Sequence, residues 1–144
     1  MNKLNVSSWL LVAVLFAVGA QSVLAADRMK SGQWEVTISA NGRSATNTHC
    51  DPPGAVKMTN GSSEEIRSAL EKSAVTLQCK LQDFKMDDTN ISYSYACADK
   101  TMETKTSYHD GNTFETTRTT KVGGQEQTSV TKGRRVGECP KGSE

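Results

Sequence analysis

The sequence predicts a mainly β fold: an antiparallel β-meander, forming a curved sheet or a small barrel, with one inserted helix and two disulfides. Three observations carry this. Short runs alternate apolar and polar residues, the period of a half-buried strand, and are separated by turn pairs such as Asn41-Gly42, Asp110-Gly111 and Gly123-Gly124. Four cysteines follow an export signal, a setting that favours disulfides. One hairpin register brings two of those cysteines opposite each other.

The amino terminus has the order of a secretory signal peptide. Lys3 is followed by an apolar run from Trp9 to Ala20, and Val23-Leu24-Ala25 supplies the residues a signal peptidase reads. Cleavage after Ala25 makes residues 1–25 the signal peptide and 26–144 a single β-rich domain. Gln21 and Ser22 end the apolar run well short of the ~20 residues a spanning helix needs, and no later segment is apolar enough. Stable membrane insertion after cleavage is therefore not expected, and the chain is expected to be periplasmic or secreted. Lys3 is the only charge removed, leaving 16 of the 17 basic residues against 16 acidic ones. This balance, with no strong basic cluster, argues against nucleic acid or an anionic membrane as partner. Lys132, Arg134 and Arg135, with Lys141 beyond, read as a solvated strand end.

The elements follow in order. Gln33–Ser39 places Trp34, Val36 and Ile38 on one face of a strand. Asn41-Gly42 is a strong hairpin turn, and the return strand Arg43–Cys50 stops at Asp51-Pro52-Pro53, where proline cannot donate to a ladder. Residues 54–62 read as a loop. Ser62 with Glu65 forms a capping box that opens a helix with Ile66, Ala69, Leu70 and Ser73 on one face. Residues 75–84 and 91–98 read as a hairpin around the polar turn 86–90. The remaining strands are Thr101–Tyr108, Asn112–Lys121 and Gln125–Lys132.

Centring the second hairpin on Asp88 sets Cys79 opposite Cys97, Leu81 opposite Tyr95 and Asp83 opposite Tyr93. Val75, Leu77, Cys79 and Leu81 then share a face with Tyr93, Tyr95 and Cys97. The expected disulfides are Cys79–Cys97 and, by elimination, Cys50–Cys139. Zinc is the competing use of cysteine, but there is no C-x-x-C pair and the only histidines are His49 and His109, so no metal or cofactor is expected.

The last three strands hold ten threonines, among them Thr104, Thr106, Thr116 and Thr119. Threonine favours strands but buries little apolar area. This half cannot form a thick dry core, so either one sheet face is solvated or the sheet encloses a polar concavity, and the solvated face is the expectation.

Met29-Lys30-Ser31-Gly32-Gln33-Trp34-Glu35-Val36 resembles the M-K-x-G-x-W-E-V opening of domain of unknown function family 3617, a family of short exported bacterial proteins. Cys50-Asp51-Pro52 is similar to that family's Cys-x-Pro step. Gly133-Arg134-Arg135-Val136-Gly137-Glu138-Cys139 is similar to its closing G-x-R-x-G-x-C, and Ser31 stands where proline is common. The resemblance spans about residues 29–139. It implies a β-rich fold and a Gram-negative, periplasmic setting, and it carries no activity to transfer.

No catalytic constellation is expected. Nucleophilic catalysis needs Ser or Cys beside an oriented histidine. His49 neighbours Cys50, which a disulfide claims; it falls opposite Trp34 in the first hairpin and reads as packed beside that aromatic. His109 reads as solvated in a turn. Asp87-Asp88 lacks the spaced ligands of a calcium loop. In the bacterial setting that the resemblance implies, the sequons at Asn60 and Asn90 read as chance. The first expectation for function is a non-catalytic binding module for a small ligand or an envelope component. The alternative is a protein-interaction module acting through an exposed strand edge. A closed barrel with a cavity favours the first, and a long uncovered edge on a flat sheet the second. A pocket holding a histidine with a carboxylate would point to an enzyme.

Overall fold

A computed structural model describes residues 27–142, so the expected signal peptide lies outside the described residues. Seven strands form one antiparallel sheet: β1 (Gly32–Ala40), β2 (Arg43–Asp51), β3 (Cys79–Met86), β4 (Asn90–Cys97), β5 (Lys100–His109), β6 (Thr113–Val122) and β7 (Gln125–Gly137). Two helices, α1 (Pro53–Thr59) and α2 (Ser63–Thr76), join β2 to β3.

The strand order is β2-β1-β7-β6-β5-β4-β3. It is the order of an up-and-down barrel in which the first strand meets the last, left open between β2 and β3. The sheet is therefore open and not a closed barrel. The gap falls where the chain leaves the sheet for the helices, with α1 against β2 and α2 against β3. A strictly sequential meander would have paired β2 with β3, and the inserted helices keep them apart.

The first hairpin turns through Asn41 (φ 52°) and Gly42 (φ 73°), the backbone that an Asn-Gly turn supplies at low cost. Its register runs without interruption from Ala40–Arg43 to Gly32–Asp51 and places Trp34 opposite His49. The second hairpin pairs Cys79 with Cys97 and Leu81 with Tyr95. Asp83, however, does not oppose Tyr93. The register shifts between Gln82 and Lys85, with Asp83 at φ 51°. This bulge inserts one extra residue and bends the strand.

Other expectations are corrected. Strand β3 begins at Cys79, because α2 runs through Thr76 and Leu77 caps it. Val75 and Leu77 are thus 77% and 50% exposed rather than on the apolar sheet face. Alternation in Val75-Thr76-Leu77 resembled a strand, but burial of Ala74 keeps the helix going. Residues 53–59 form a helix, not a loop, with Pro53 where a missing N–H costs nothing. Strand β7 runs five residues beyond Lys132, because β1 supplies a partner there.

The capping box forms as its sequence requires: Ser62 Oγ accepts from Glu65 N–H, and Glu65 accepts from Ser62 N–H at 2.8 Å. One sheet face carries Trp34, Ile91 and Tyr95, all buried, and the helices bury Val56, Ile66 and Ala74. The Tyr95 hydroxyl donates to the Leu70 carbonyl at 3.0 Å, fixing α2 to that face. The core therefore lies at the helix-covered end of the sheet. The opposite face is solvated and carries ion pairs such as Glu115–Lys132 and Glu35–Arg134.

Candidate interaction surface

The four cysteines form the expected pairs. Cys79–Cys97 bridges β3 and β4 with Cα atoms 4.2 Å apart, and Cys50–Cys139 joins the end of β2 to the segment after β7, 5.3 Å apart. All four are therefore architectural, and two disulfides fit a chain that matures in an oxidising compartment. No helix among the described residues is long and apolar enough to cross a membrane.

The residues weighed for chemistry are mostly occupied by structure. His49 Nε2 lies 3.2 Å from Asp51 Oδ2, a histidine–carboxylate pair. It sits exposed on the edge strand, and its neighbour Cys50 is oxidised. His109 is the last residue of β5 rather than a turn residue, and it is exposed. The Asp87 carboxylate accepts from the N–H groups of Thr89 and Asn90 at 2.8 and 2.7 Å. Those donors, Thr89 foremost, hold its pKa below the ordinary value. The turn thus uses the carboxylate as its own cap. Asn60 makes a two-way bond with the Met29 backbone, at 2.9 and 2.8 Å, and the Asn90 amide donates to Asp87. Both sequon asparagines are turn and anchor residues. In the basic stretch, Lys132 pairs with Glu115, Arg134 with Glu35, and Arg135 with Glu138. The threonines divide between both faces: Thr104 is buried, whereas Thr101, Thr113 and Thr128 are exposed.

Sequence reasoning missed Arg28. Only 2% exposed, it donates to the carbonyls of Thr59 (3.0 Å), Gly61 (3.2 Å) and Asp87 (3.2 Å). One guanidinium thereby ties the amino-terminal segment to the α1–α2 junction and the β3–β4 turn. Nothing local in Asp27-Arg28-Met29 signals this, since all three acceptors are main-chain groups remote in sequence.

The opening and closing motifs meet in the β1–β7 pair. Trp34 is fully buried and donates from Nε1 to Lys30 O at 3.1 Å. Val36 pairs with Gly133, and a Cβ at Gly133 would overlap the Phe114 ring. Phe114 can therefore lean across β7 to reach Trp34, with centroids 5.6 Å apart. Arg135 Nε donates to Ser31 O at 2.7 Å. Gly32, at φ 142°, lies so close to the Gly137 carbonyl and Arg135 that a side chain has no room. The family described as protein of unknown function, DUF3617, matches residues 29–139. The chain belongs to that family. No curated protein and no solved structure matches the chain. In this DUF3617 protein the segments 29–36 and 133–139 are held together by these contacts, so their residues serve architecture.

Two features remain exposed. One is a shallow polar depression of about 530 Å³ across β3–β6, lined by Asp83, Lys85, Ser94, Glu103 and Lys121 among others. The other is the free edge of β2. The two sheet edges differ in their protection. Strand β3 has a bulge, Lys80 and Lys85, a disulfide to its neighbour and α2 packed against it. Strand β2 has α1 against it and a disulfide at Cys50, but it has nine residues in unbroken register, no bulge and no lysine, and Arg43 to His49 are all exposed.

Proposed function

We propose that this DUF3617 protein is a non-catalytic interaction module of the bacterial envelope that captures a partner strand on the free edge of β2. The bulge-free edge, exposed from Arg43 to His49, is the observation that supports this. An edge strand offers a row of unpaired N–H and C=O groups, and a partner that adds a strand satisfies them. The family resemblance and the two disulfides support a periplasmic setting after cleavage behind Ala25. The small-ligand reading keeps one supporting observation, the polar depression across β3–β6 with its mixed lysine and carboxylate lining. Its openness to solvent makes it the weaker site, because small-molecule sites usually enclose most of the ligand.

Photo-crosslinking residues placed at Thr46 or Thr48 on β2, and separately at Thr101 in the depression, distinguish these readings in intact cells. Covalent protein adducts at the β2 positions only are the expected result. Adducts absent from β2 overturn the strand-edge reading.

A further inference from the structure

The partner strand for which β2 is best matched is β2 of a second copy. We propose that two copies of the chain join antiparallel through their β2 edges about a two-fold axis centred on Asn47. This rests on the strand-edge reading and names its occupant.

The register follows from two observations. First, the Asn41-Gly42 loop is closed by the Ala40–Arg43 pair. In an antiparallel ladder, hydrogen-bonded and non-bonded pairs alternate. Counting from that turn, Arg43, Ala45, Asn47, His49 and Asp51 direct their backbone groups towards β1. Ser44, Thr46, Thr48 and Cys50 direct theirs to the open side. The hydroxyl contacts agree, since Ser44 meets Ser39 at 2.7 Å and Thr46 meets Thr37 at 2.9 Å. Non-bonded pairs are those in which side chains approach most closely.

Second, the charges of β2 lie at its two ends, Arg43 and Asp51, with no other Asp, Glu, Lys or Arg between them. A two-fold axis at Asn47 sets each Arg43 opposite the other copy's Asp51, giving two symmetric ion pairs. The same axis pairs Thr46 with Thr48 and Ser44 with Cys50 of the other copy. These are the residues whose backbone groups face outward, so charge and hydrogen-bond parity select one register. Shifting the axis to Thr46 or Thr48 breaks the charge pairing. Opposite charges across a strand pair favour it, and like charges oppose it. Arg43 has no ion-pair partner within its own chain among the described residues, so its charge is free for this contact, and the Asp51 carboxylate, which meets His49 Nε2 at 3.2 Å, would be shared between His49 and the incoming Arg43. An isologous contact of this kind closes on itself and gives a dimer, not a fibre.

Sedimentation equilibrium of the oxidised mature chain tests the inference, together with Arg43→Asp, Asp51→Arg, the double exchange, and Thr48→Pro. The expected result is a dimer for the natural chain and a dissociation constant at least tenfold weaker for each single exchange. The double exchange restores association. Thr48→Pro removes an outward N–H and leaves a monomer whose circular dichroism is unchanged. A natural chain that stays monomeric throughout, or a dimer indifferent to both single exchanges, overturns the second copy as occupant. The crosslinking at Thr46 and Thr48 tells the two failures apart. An adduct of twice the chain mass supports self-pairing. An adduct of any other mass keeps the strand edge and removes the second copy, and no adduct removes both.

Discussion

Tyr108 shows how one side chain ties packing to pH. It lies on the core face of β5 beside Phe114, with ring centroids 6.2 Å apart. Burial pushes its pKa up to about 12, although the positive charge of Arg28 pulls the other way. The neutral phenol is thus favoured by folding, and its contribution is fully present below the unfolded value near 10. It is lost as pH rises from about 10 through 12, at a cost of up to about 3 kcal/mol. Tyr95 shifts in the same direction, again chiefly through burial. Chemical denaturation between pH 9 and pH 12 should therefore give falling stability, and Tyr108→Phe should flatten that alkaline limb. An identical slope in the variant would remove Tyr108 as its source. Tyr108 was legible as an apolar strand residue, but the nearby charge of Arg28 is announced by no local pattern.

Among the elements, the two disulfides differ in what they restrain. Cys79–Cys97 closes a hairpin with a sequence separation of 18, and Cys50–Cys139 spans 89. In the chain-entropy account the longer loop restrains more of the unfolded ensemble, by about 1 kcal/mol at these lengths. Replacing Cys50 and Cys139 with serine should accordingly lower the denaturation midpoint more than replacing Cys79 and Cys97. Equal losses would mean that native-state effects outweigh loop entropy. The hairpins themselves were readable because turn chemistry sets their register. The first follows from Asn41-Gly42 throughout. In the second, the turn sets Met86 opposite Ile91 and Lys85 opposite Ser92, displaced from a centre at Asp88, and the bulge at Asp83 brings back the expected register from Gln82 to Cys79. There Ser94 Oγ donates to the Asp83 carboxylate at 3.0 Å, a contact that becomes visible only in the fold. The boundary between α2 and β3 was misread for a related reason. Strand-like alternation in Val75-Thr76-Leu77 gives way to the burial of Ala74 beneath the helix.

At the scale of the whole molecule, Arg28 and the β1–β7 pair hold the first and last described segments in place. Arg28→Met keeps much of the side-chain volume but leaves the Thr59, Gly61 and Asp87 carbonyls without their shared donor. Losing a buried charged donor of this kind should cost about 2–4 kcal/mol. Thermal unfolding should show a Tm lowered by several degrees, and hydrogen exchange should rise first around 59–61 and 87–90. A Tm unchanged by the substitution would mean that water replaces the guanidinium.

By itself, the sequence determined the strands, the turns of most hairpins, the capped helix and both disulfides. The strands, turns and capped helix depend on neighbours a few residues apart, where turn geometry and side-chain period leave little choice; Cys79–Cys97 follows from a hairpin register, and Cys50–Cys139, 89 residues apart, only by elimination. Tertiary structure alone decided that β1 pairs with β7 and that the sheet stays open. It also decided that β2 is left as the unprotected edge. Those outcomes depend on contacts between residues such as Trp34, Gly133 and Phe114, which pack together across about 100 positions of sequence. They depend as well on where the two helices pack, α1 against β2 and α2 against β3. Local periodicity carries no information about either, because a strand reads the same whether its second neighbour is another strand, a helix or solvent.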